Sequence, residues 1–392
     1  MEAVHGSTAP GFDGVRDAFA ANMAGGTEIG AAVAVYLNGR PVVDLWGGIA
    51  DPATGRPWER DTFAVVYSTT KGVVAACAHL LAERGELDLD APVATYWPEF
   101  AAAGKERLPV RWLLTHQAGL TALDHPVTPE QAIAWDPVVA ALAAQRPHWQ
   151  PGTDSGYHGL TYGFLVGEVV RRATGRTVGE VLRSEIAEPL GADFRIGLPA
   201  AELHRVAWMD TATPDFASLD GMDVSAFPEP MRDVMAAWAD PASLTRRTMQ
   251  TVTPPLDHNR PEELAAELPG TNGVGTARGP ARIYASLIGE VDGHRILGAA
   301  ALAAATAEEV SGVDRVLRMP VRIATGFGLP APDTWWYGPA AFGFAGLGGS
   351  IAFADPDTGI AFAYVMNHVI EGVPDQRAAN LWAAVSAAQP LL

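Results

Sequence analysis

The amino-acid sequence predicts an α/β (α+β) protein with one antiparallel sheet built from both ends of the chain. Strand-like runs occupy residues 29–48 near the start, and two apolar runs, 350–354 and 360–366, lie near the end. Between them, residues 86–276 show helical spacing and proline-rich connections without a strong strand signal. Strands at both ends with helices between them favour a single sheet flanked by helices, with an inserted, mostly helical segment.

The first elements are a helix and a hairpin. Residues 12–23 carry apolar side chains at helical spacing. The two β-rich runs within 29–48 flank Asn38-Gly39, a dipeptide that favours the tight turn of a hairpin because both of its residues readily adopt positive φ. A helix over residues 68–84 follows.

The middle and the end of the chain complete this architecture. Helices are predicted over residues 112–115, 129–145, 161–174, 177–187, 277–288, 297–308 and 376–388. The turn residues 355–359 (DPDTG) separate the two apolar runs near the end. We therefore expect an α/β domain of residues 1–66 plus 277–392 and a mostly helical domain of residues 67–276, with the functional site at their interface.

Composition restricts the function classes. The 392 residues include 45 Asp and Glu against 27 Lys and Arg, a formal charge of −18, which argues against nucleic-acid and membrane partners because both are anionic. A single cysteine, Cys77, excludes a disulfide framework and a cysteine-based metal site within the chain. The N-terminal residues lack the basic and apolar regions of a secretory signal, so we expect a cytoplasmic location.

Residues 68–71 form an S-x-x-K motif, Ser68-Thr69-Thr70-Lys71. Residues three apart on a helix share a face, so Lys71 can reach the Ser68 hydroxyl. A buried lysine with a lowered pKa can accept the serine proton, and Lys71 is one of only two lysines in this arginine-rich chain. The alternative is that Ser68 caps the helix and Lys71 is a solvated residue of its first turn.

Two further segments carry candidate chemistry. Tyr157 lies in a glycine-rich loop, 151–159, where its phenol could shuttle protons or could simply pack. The segment 344–350 (FAGLGGS) precedes an apolar run. Its glycines allow a ligand to approach the backbone, and an N–H at a strand edge can stabilise an oxyanion. The alternative is a glycine-rich turn that opens a strand.

These three motifs, in this order and spacing, resemble those of the serine β-lactamase/penicillin-binding-protein-like hydrolases, in particular the family VIII carboxylesterases with a class C β-lactamase fold. Residues 85–93 (GELDLDAPV), 113–120 (LLTHQAGL) and 270–278 (GTNGVGTAR) also resemble segments of that family. The similarity extends from about residue 12 to residue 388. It implies a β-lactamase/transpeptidase-like fold with the active site between the two domains.

The resemblance implies roles for individual residues. Ser68 matches the family nucleophile, Lys71 the lysine that activates it, and Tyr157 the tyrosine that acts as base and proton relay. The triplet 344–346 matches the family's K-T-G, H-T-G or W-G-G motif. The backbone N–H groups of Ser68 and Leu347 would form the oxyanion hole. The resemblance implies no cofactor and no metal.

A set of residues near these motifs is expected to bind substrate: Phe344, Ala345, Gly346, Gly348, Asn272, His158, Trp335 and Trp336. Phe344 stands where the family has lysine or histidine, and Gly159 stands where its tyrosine motif has asparagine. Both departures favour neutral esters over penicillins or peptidoglycan stems. Trp335 and Trp336 could wall an apolar acyl or aryl pocket, or could pack as ordinary aromatic residues.

The expected function is hydrolysis of small to medium, uncharged carboxylic esters through a Ser68 acyl-enzyme, with a small-molecule ester as partner. One alternative is an acyltransferase or amide-forming enzyme that uses the same acyl-enzyme. A β-lactamase or D-amino-acid peptidase is another, against which Phe344 argues. A catalytically inactive sensor is the third, against which the intact Ser68, Lys71 and Tyr157 argue. The sequence carries no signal for an oligomeric state.

Overall fold

The computed structural model describes residues 4–211, 216–229, 231–331, 338–370 and 375–388. Its strands are β1 (His5–Thr8), β2 (Gly30–Leu37), β3 (Arg40–Asp51), β4 (Arg56–Pro57), β5 (Ala64–Val65), β6 (Phe194–Arg195), β7 (Val274–Gly275), β8 (Val310–Val313), β9 (Pro320–Ile323), β10 (Phe342–Ala345), β11 (Ile351–Asp355) and β12 (Ile360–Met366).

The α-helices are α1 (Asp13–Ala24), α2 (Thr70–Glu83), α3 (Val93–Tyr96), α4 (Arg111–Leu114), α5 (Pro129–Ile133), α6 (Asp136–Ala144), α7 (Thr161–Thr174), α8 (Val178–Val181), α9 (Glu188–Leu190), α10 (Met231–Ala239), α11 (Leu244–Met249), α12 (Pro261–Ala265), α13 (Arg278–Ile288), α14 (Ala299–Thr306) and α15 (Arg377–Ala388). A π-helical segment, Leu182–Ala187, joins α8 to α9. Within the described part of the chain, no helix is both long enough and apolar enough to cross a bilayer.

A seven-stranded antiparallel sheet joins the two ends of the chain. Its order is β1-β3-β2-β12-β11-β10, with β4 paired to β3. Ala34 of β2 lies opposite Ala363 of β12, so an early strand is the hydrogen-bonded neighbour of a late one. Asn38 and Gly39 turn between β2 and β3 with φ of 47° and 75°. The predicted fold class and its first hairpin are confirmed.

Helices cover both faces of this sheet because its strands bury both sets of alternating side chains. Val33 and Val35 of β2 belong to the core packed under α1 and α15. Ala34 and Tyr36 belong to the second core, which includes residues of α2 and α13. The small side chain of Ala34 suits the face to which α13 packs closely.

The helical predictions are confirmed in outline and corrected in three places. Residues 129–145 form two helices rather than one, because Trp135 adopts a φ of 66° between them. Helix α2 begins at Thr70, two residues after Ser68. Elements without a counterpart in the prediction include the hairpin β8-β9 and the helices α3, α10, α11 and α12.

A three-stranded sheet, β5-β7-β6, joins segments that are distant in sequence. Two of its strands lie within 86–276, where the sequence shows no strong strand signal, and each has only two residues. Strand β5 leads directly to Ser68 and is held by β7. The small sheet therefore places the S-x-x-K segment beside the loop before β7. The division at residues 66/67 and 276/277 stays a prediction.

Candidate active site

Ser68 lies in the turn between β5 and α2. Tyr67 adopts a φ of 45°, which is uncommon for a residue other than glycine and bends the chain sharply before Ser68. The N–H groups of Thr70 and Lys71 donate to the carbonyls of Tyr67 and Ser68 at 3.0 and 2.9 Å. Ser68 is half-buried and stands at the N-terminal end of α2, where the helix dipole favours negative charge.

Lys71 is fully buried and directed at Ser68. Its Nζ lies 3.0 Å from Ser68 Oγ and donates to the Gly270 carbonyl at 2.7 Å. Three rings surround this nitrogen with centroids at 5.0, 5.7 and 5.9 Å, those of Tyr157, Tyr162 and Phe344. Among the described residues no carboxylate pairs with Lys71, and burial lowers its pKa well below the usual value. A neutral amine at this place can accept the serine proton, and the alternative of a solvated lysine is wrong.

Tyr157 completes a contact of three side chains. Its Oη lies 2.5 Å from Ser68 Oγ, and the side chain is half-buried. Burial raises the Tyr157 pKa above its usual value, and Asp314 raises it further, while the hydrogen bond with Ser68 lowers it. The phenol is therefore protonated at neutral pH, which favours a role in relaying protons over a role as a phenolate general base.

His158 does not contact the cavity, and the expectation that it binds substrate is wrong. Its Nε2 accepts the backbone N–H of Leu120 at 3.1 Å, and its Nδ1 lies 2.7 Å from the Gly156 carbonyl. Burial lowers its pKa to about 3, so the ring is neutral. His158 ties the loop of Tyr157 to the segment after α4. The neighbouring ring of His116, 5.2 Å from the Tyr157 ring, does line the cavity.

The expectation that Asn272 binds substrate is also wrong, because its side chain is fully buried and hydrogen-bonded to backbone groups. Its Oδ1 accepts the N–H of Leu268 at 3.0 Å, and its Nδ2 donates to the carbonyls of Glu263 and Ala266 at 2.8 and 2.7 Å. Both N–H donors of the amide are used by backbone carbonyls, and its buried oxygen already accepts one backbone N–H. Asn272 instead shapes the loop that offers the Gly270 carbonyl to Lys71.

The glycine-rich segment divides into two parts. Phe344 and Ala345, two of the residues expected to bind substrate, line the cavity, and so does Leu347. Gly346 and Gly348 are half-buried and are not among the residues that line the cavity, and their assignment to substrate binding stays a prediction. A Cβ on Gly346 would lie 2.3 Å from the Val66 carbonyl, and one on Gly348 would lie 2.5 Å from Met366 Cε. These glycines let the segment pack closely against the protein.

Ser350 connects this segment to the nucleophile. It is fully buried; its Oγ donates to the Val66 carbonyl at 2.8 Å and lies 3.1 Å from Thr69 Oγ1. Val66 and Thr69 flank Ser68, while Leu347 begins the short 3₁₀ turn Leu347–Gly349 just before Ser350. The two predicted oxyanion donors thus belong to segments that are tied together. The pairing of the Ser68 and Leu347 N–H groups around an oxyanion stays a prediction.

A cavity of about 820 Å³ opens at Ser68. Its apolar wall includes Leu160, Met209, Met249, Val252, Leu256, Leu317, Met319, Val321, Ile323 and Leu329. Arg322 is the only arginine or lysine among the described lining residues, and it is occupied by Glu308 at 2.6 Å and by the Pro330 carbonyl at 2.7 Å. The predicted wall residues Trp335 and Trp336 lie outside the described residues.

Three groups that contact the predicted catalytic residues were not predicted: the Gly270 carbonyl, Tyr162 and Asp314. Gly270 acts through its backbone, which no side-chain pattern reveals, although it opens a segment that resembles the family. Tyr162 lies on α7 five residues after Tyr157, a weak signal for a shared site. Asp314 follows β8 in a segment without a recognisable motif.

Comparisons with known proteins agree with this geometry. Residues 15–387 match the beta-lactamase family. The chain is 37% identical over 376 residues to the esterase/beta-lactamase LipL of Mycobacterium tuberculosis, covering 94% of this chain and 83% of that protein. Among solved structures, a family VIII carboxylesterase matches with a TM-score of 0.86 at 40% identity, covering 98% of this chain and 100% of that one. A penicillin-binding protein homologue from Caulobacter crescentus matches with a TM-score of 0.84 at 38% identity, again covering 98% of this chain and 100% of that one. The chain belongs to the beta-lactamase family and is one of its serine hydrolases.

Proposed function

We propose that this protein is a serine carboxylesterase that hydrolyses small to medium, uncharged esters through an acyl-enzyme on Ser68. One observation carries the proposal: Ser68 Oγ lies 2.5 Å from Tyr157 Oη and 3.0 Å from Lys71 Nζ where an apolar cavity opens. The esterase names of the relative LipL and of the family VIII structure support the same reaction class.

Acylation begins when the neutral amine of Lys71 accepts the Ser68 proton. Ser68 Oγ then attacks the ester carbonyl carbon, and the backbone N–H groups of Ser68 and Leu347 stabilise the oxyanion. The bond to the alcohol oxygen breaks, and Tyr157 Oη gives its proton to that oxygen. Tyr157 regains a proton from the Lys71 ammonium, so that the amine is neutral again.

Deacylation uses the same groups in the opposite direction. A water molecule attacks the acyl carbonyl while its proton passes through Tyr157 to Lys71. The second oxyanion is stabilised at the same N–H groups, and the proton returns to Ser68 Oγ as the acid leaves. Both steps use only side chains and backbone of this chain.

The charges around the cavity support a preference for uncharged esters. Phe344 supplies an uncharged ring at the position where the K-T-G and H-T-G forms of the family motif have lysine or histidine, and Arg322 is held by Glu308. Three acidic residues line the cavity, Asp210, Asp257 and Asp314, and their negative charges would repel an anionic substrate. We expect p-nitrophenyl butyrate to exceed p-nitrophenyl hemisuccinate, its anionic counterpart, in kcat/KM by about tenfold or more. Equal values would refute the preference for uncharged esters.

The first experiment compares wild type with Ser68→Ala on p-nitrophenyl acetate and butyrate. Ser311→Ala, an exposed serine on β8, is the matched control and should keep full activity. Turnover by wild type and Ser311→Ala, but not by Ser68→Ala, supports the serine esterase. Equal activity in all three proteins shows that Ser68 is not the nucleophile. Inert proteins in which a fluorophosphonate still labels Ser68 would favour an acyltransferase.

A further inference from the structure

Asp314 is a fully buried carboxylate beside Tyr157 in the wall of the cavity. Its Oδ1 accepts three backbone N–H groups, those of Tyr157 at 3.0 Å and of Val316 and Leu317 at 2.8 Å each. Its Oδ2 has no hydrogen-bond partner among the described residues. One carboxylate oxygen thus fixes the backbone of Tyr157 to the turn that begins at Asp314.

The same turn holds the loop of Tyr157 at two further points. The N–H of Arg315 donates to the Ser155 carbonyl at 3.0 Å, and its guanidinium donates to Asp154 at 3.1 Å. Of these contacts, the one from Asp314 reaches the tyrosine itself. Ser68 and Lys71 are placed separately, by α2 and the turn before it. The short contact between Ser68 and Tyr157 therefore depends on how well the turn at Asp314 is held.

We propose that Asp314 is a positioning residue that holds Tyr157 where its phenol can protonate the departing alcohol. The inference rests on the proposed esterase function. In the step concerned, the bond between the acyl carbon and the alcohol oxygen breaks, and the electron pair goes to that oxygen. The oxygen then takes the Tyr157 proton, and the Lys71 ammonium returns a proton to Tyr157.

The charges around Tyr157 assign a second effect to the same carboxylate. Lys71 of α2, His116 after α4 and Tyr162 of α7 face the tyrosine together with Asp314, and His158 is the next residue of its own loop. Burial lowers the pKa values of Lys71, His116 and His158 and raises the pKa of Tyr162, which in each of these four groups favours the uncharged form. Burial raises the Asp314 pKa, whereas the N–H groups that it accepts lower it. When the carboxylate is ionised, its negative charge disfavours the phenolate and keeps the phenol a proton donor.

Leaving-group dependence tests this role. Ethyl butyrate and p-nitrophenyl butyrate share one acyl group, but ethoxide must be protonated to leave whereas p-nitrophenolate need not be. In Asp314→Ala we expect kcat/KM to fall about 100-fold for the ethyl ester and less than about tenfold for the p-nitrophenyl ester. Asp314→Asn keeps an oxygen acceptor and should retain most activity on both. In the pH profile of kcat/KM for the ethyl ester, the alkaline limb of this variant should move to lower pH, because the negative charge that disfavours the Tyr157 phenolate is gone.

Two reference variants separate positioning from folding. Asp355 is a buried aspartate that accepts the Asp357 N–H at 3.0 Å in a turn away from the cavity lining. Asp355→Ala should lower the melting temperature without changing the ratio of the two esters. Tyr157→Phe should change the ratio at least as much as Asp314→Ala, and combining the two changes should not alter it further.

The outcomes have distinct meanings. Equal losses on both esters in Asp314→Ala, or an unchanged ratio in Tyr157→Phe, would overturn the positioning role. If the alkaline limb of the pH profile does not move in Asp314→Asn, the proposed effect of the Asp314 charge on Tyr157 is overturned. A wild-type enzyme inactive on both esters would instead refute the proposed esterase function, so the two failures are distinguishable.

Discussion

Replacing Lys71 with methionine tests whether the amine is neutral. The side chain is fully buried, and burial lowers its pKa well below the usual value, whereas in the unfolded chain the pKa is about 10.4. Between these two pKa values the unfolded state binds a proton that the folded state does not. Folding must release that proton, which costs about 1.4 kcal/mol for each pH unit below the unfolded pKa.

The sign and size of the effect follow from this linkage. The cost is absent above the unfolded pKa, grows as the pH falls, and becomes constant below the folded pKa. If the amine stays neutral to pH 7, the free energy of unfolding of wild type falls relative to Lys71→Met by about 2.7 kcal/mol between pH 9 and pH 7. The methionine variant should therefore gain relative stability toward neutral pH while it loses ester hydrolysis.

Urea unfolding at the two pH values measures this difference. Lys105→Met is the matched control because Lys105 is the second lysine, also buried, with a pKa lowered to about 8. Its relative stability should change by only about 1.4 kcal/mol over the same interval, because the cost stops growing near pH 8. Its activity should remain. A stability difference for Lys71→Met that is the same at both pH values would show a charged lysine and refute the proposed base.

Three further predictions concern the same site. Gly163→Ala would place a Cβ 2.6 Å from the Gly270 nitrogen. We expect thermal melting to show a loss of about 1–3 kcal/mol in stability. Steady-state kinetics should show a lower kcat, because the Gly270 carbonyl bound to Lys71 shifts. In the pH profile of wild-type kcat/KM, the acid limb should lie well below the usual lysine pKa; a limb near pH 10 would contradict the neutral amine. Ser350→Ala removes the donor to the Val66 carbonyl, and we expect kcat to fall while KM changes little; an unchanged kcat would show that this tie does not position the oxyanion donors.

The architecture could be predicted because its signals are local. Asn38-Gly39 requires two positive φ values, and the alternating side chains of β2 require two covered faces. The S-x-x-K spacing likewise predicts that Lys71 reaches Ser68, because residues three apart on a helix share a face. The hairpin β8-β9 gave no such signal: its first strand is mostly exposed and contains Gly312, and its second begins with Pro320.

The errors in the site have a common physical cause. Asn272 and His158 are polar residues near the motifs, and both were assigned to the substrate. In a folded loop, backbone groups without a helix or sheet partner need side chains to satisfy them. Asn272 satisfies three such groups, and His158 contacts two. A motif shows which side chains stand near the chemistry, but only the three-dimensional arrangement shows what each one is bound to.

The pairing of β2 with β12 has a consequence for synthesis and folding. Ser68 and Lys71 are made early, but Phe344, Leu347 and the last strands of the sheet are made late. A chain still emerging from the ribosome carries Ser68 without Leu347, whose N–H we propose as the second oxyanion donor, and without the last strands of the sheet. Strand pairing across such a separation is slow. Esterase activity should therefore return after the helical signal during refolding, which would make activity a reporter of the last long-range step.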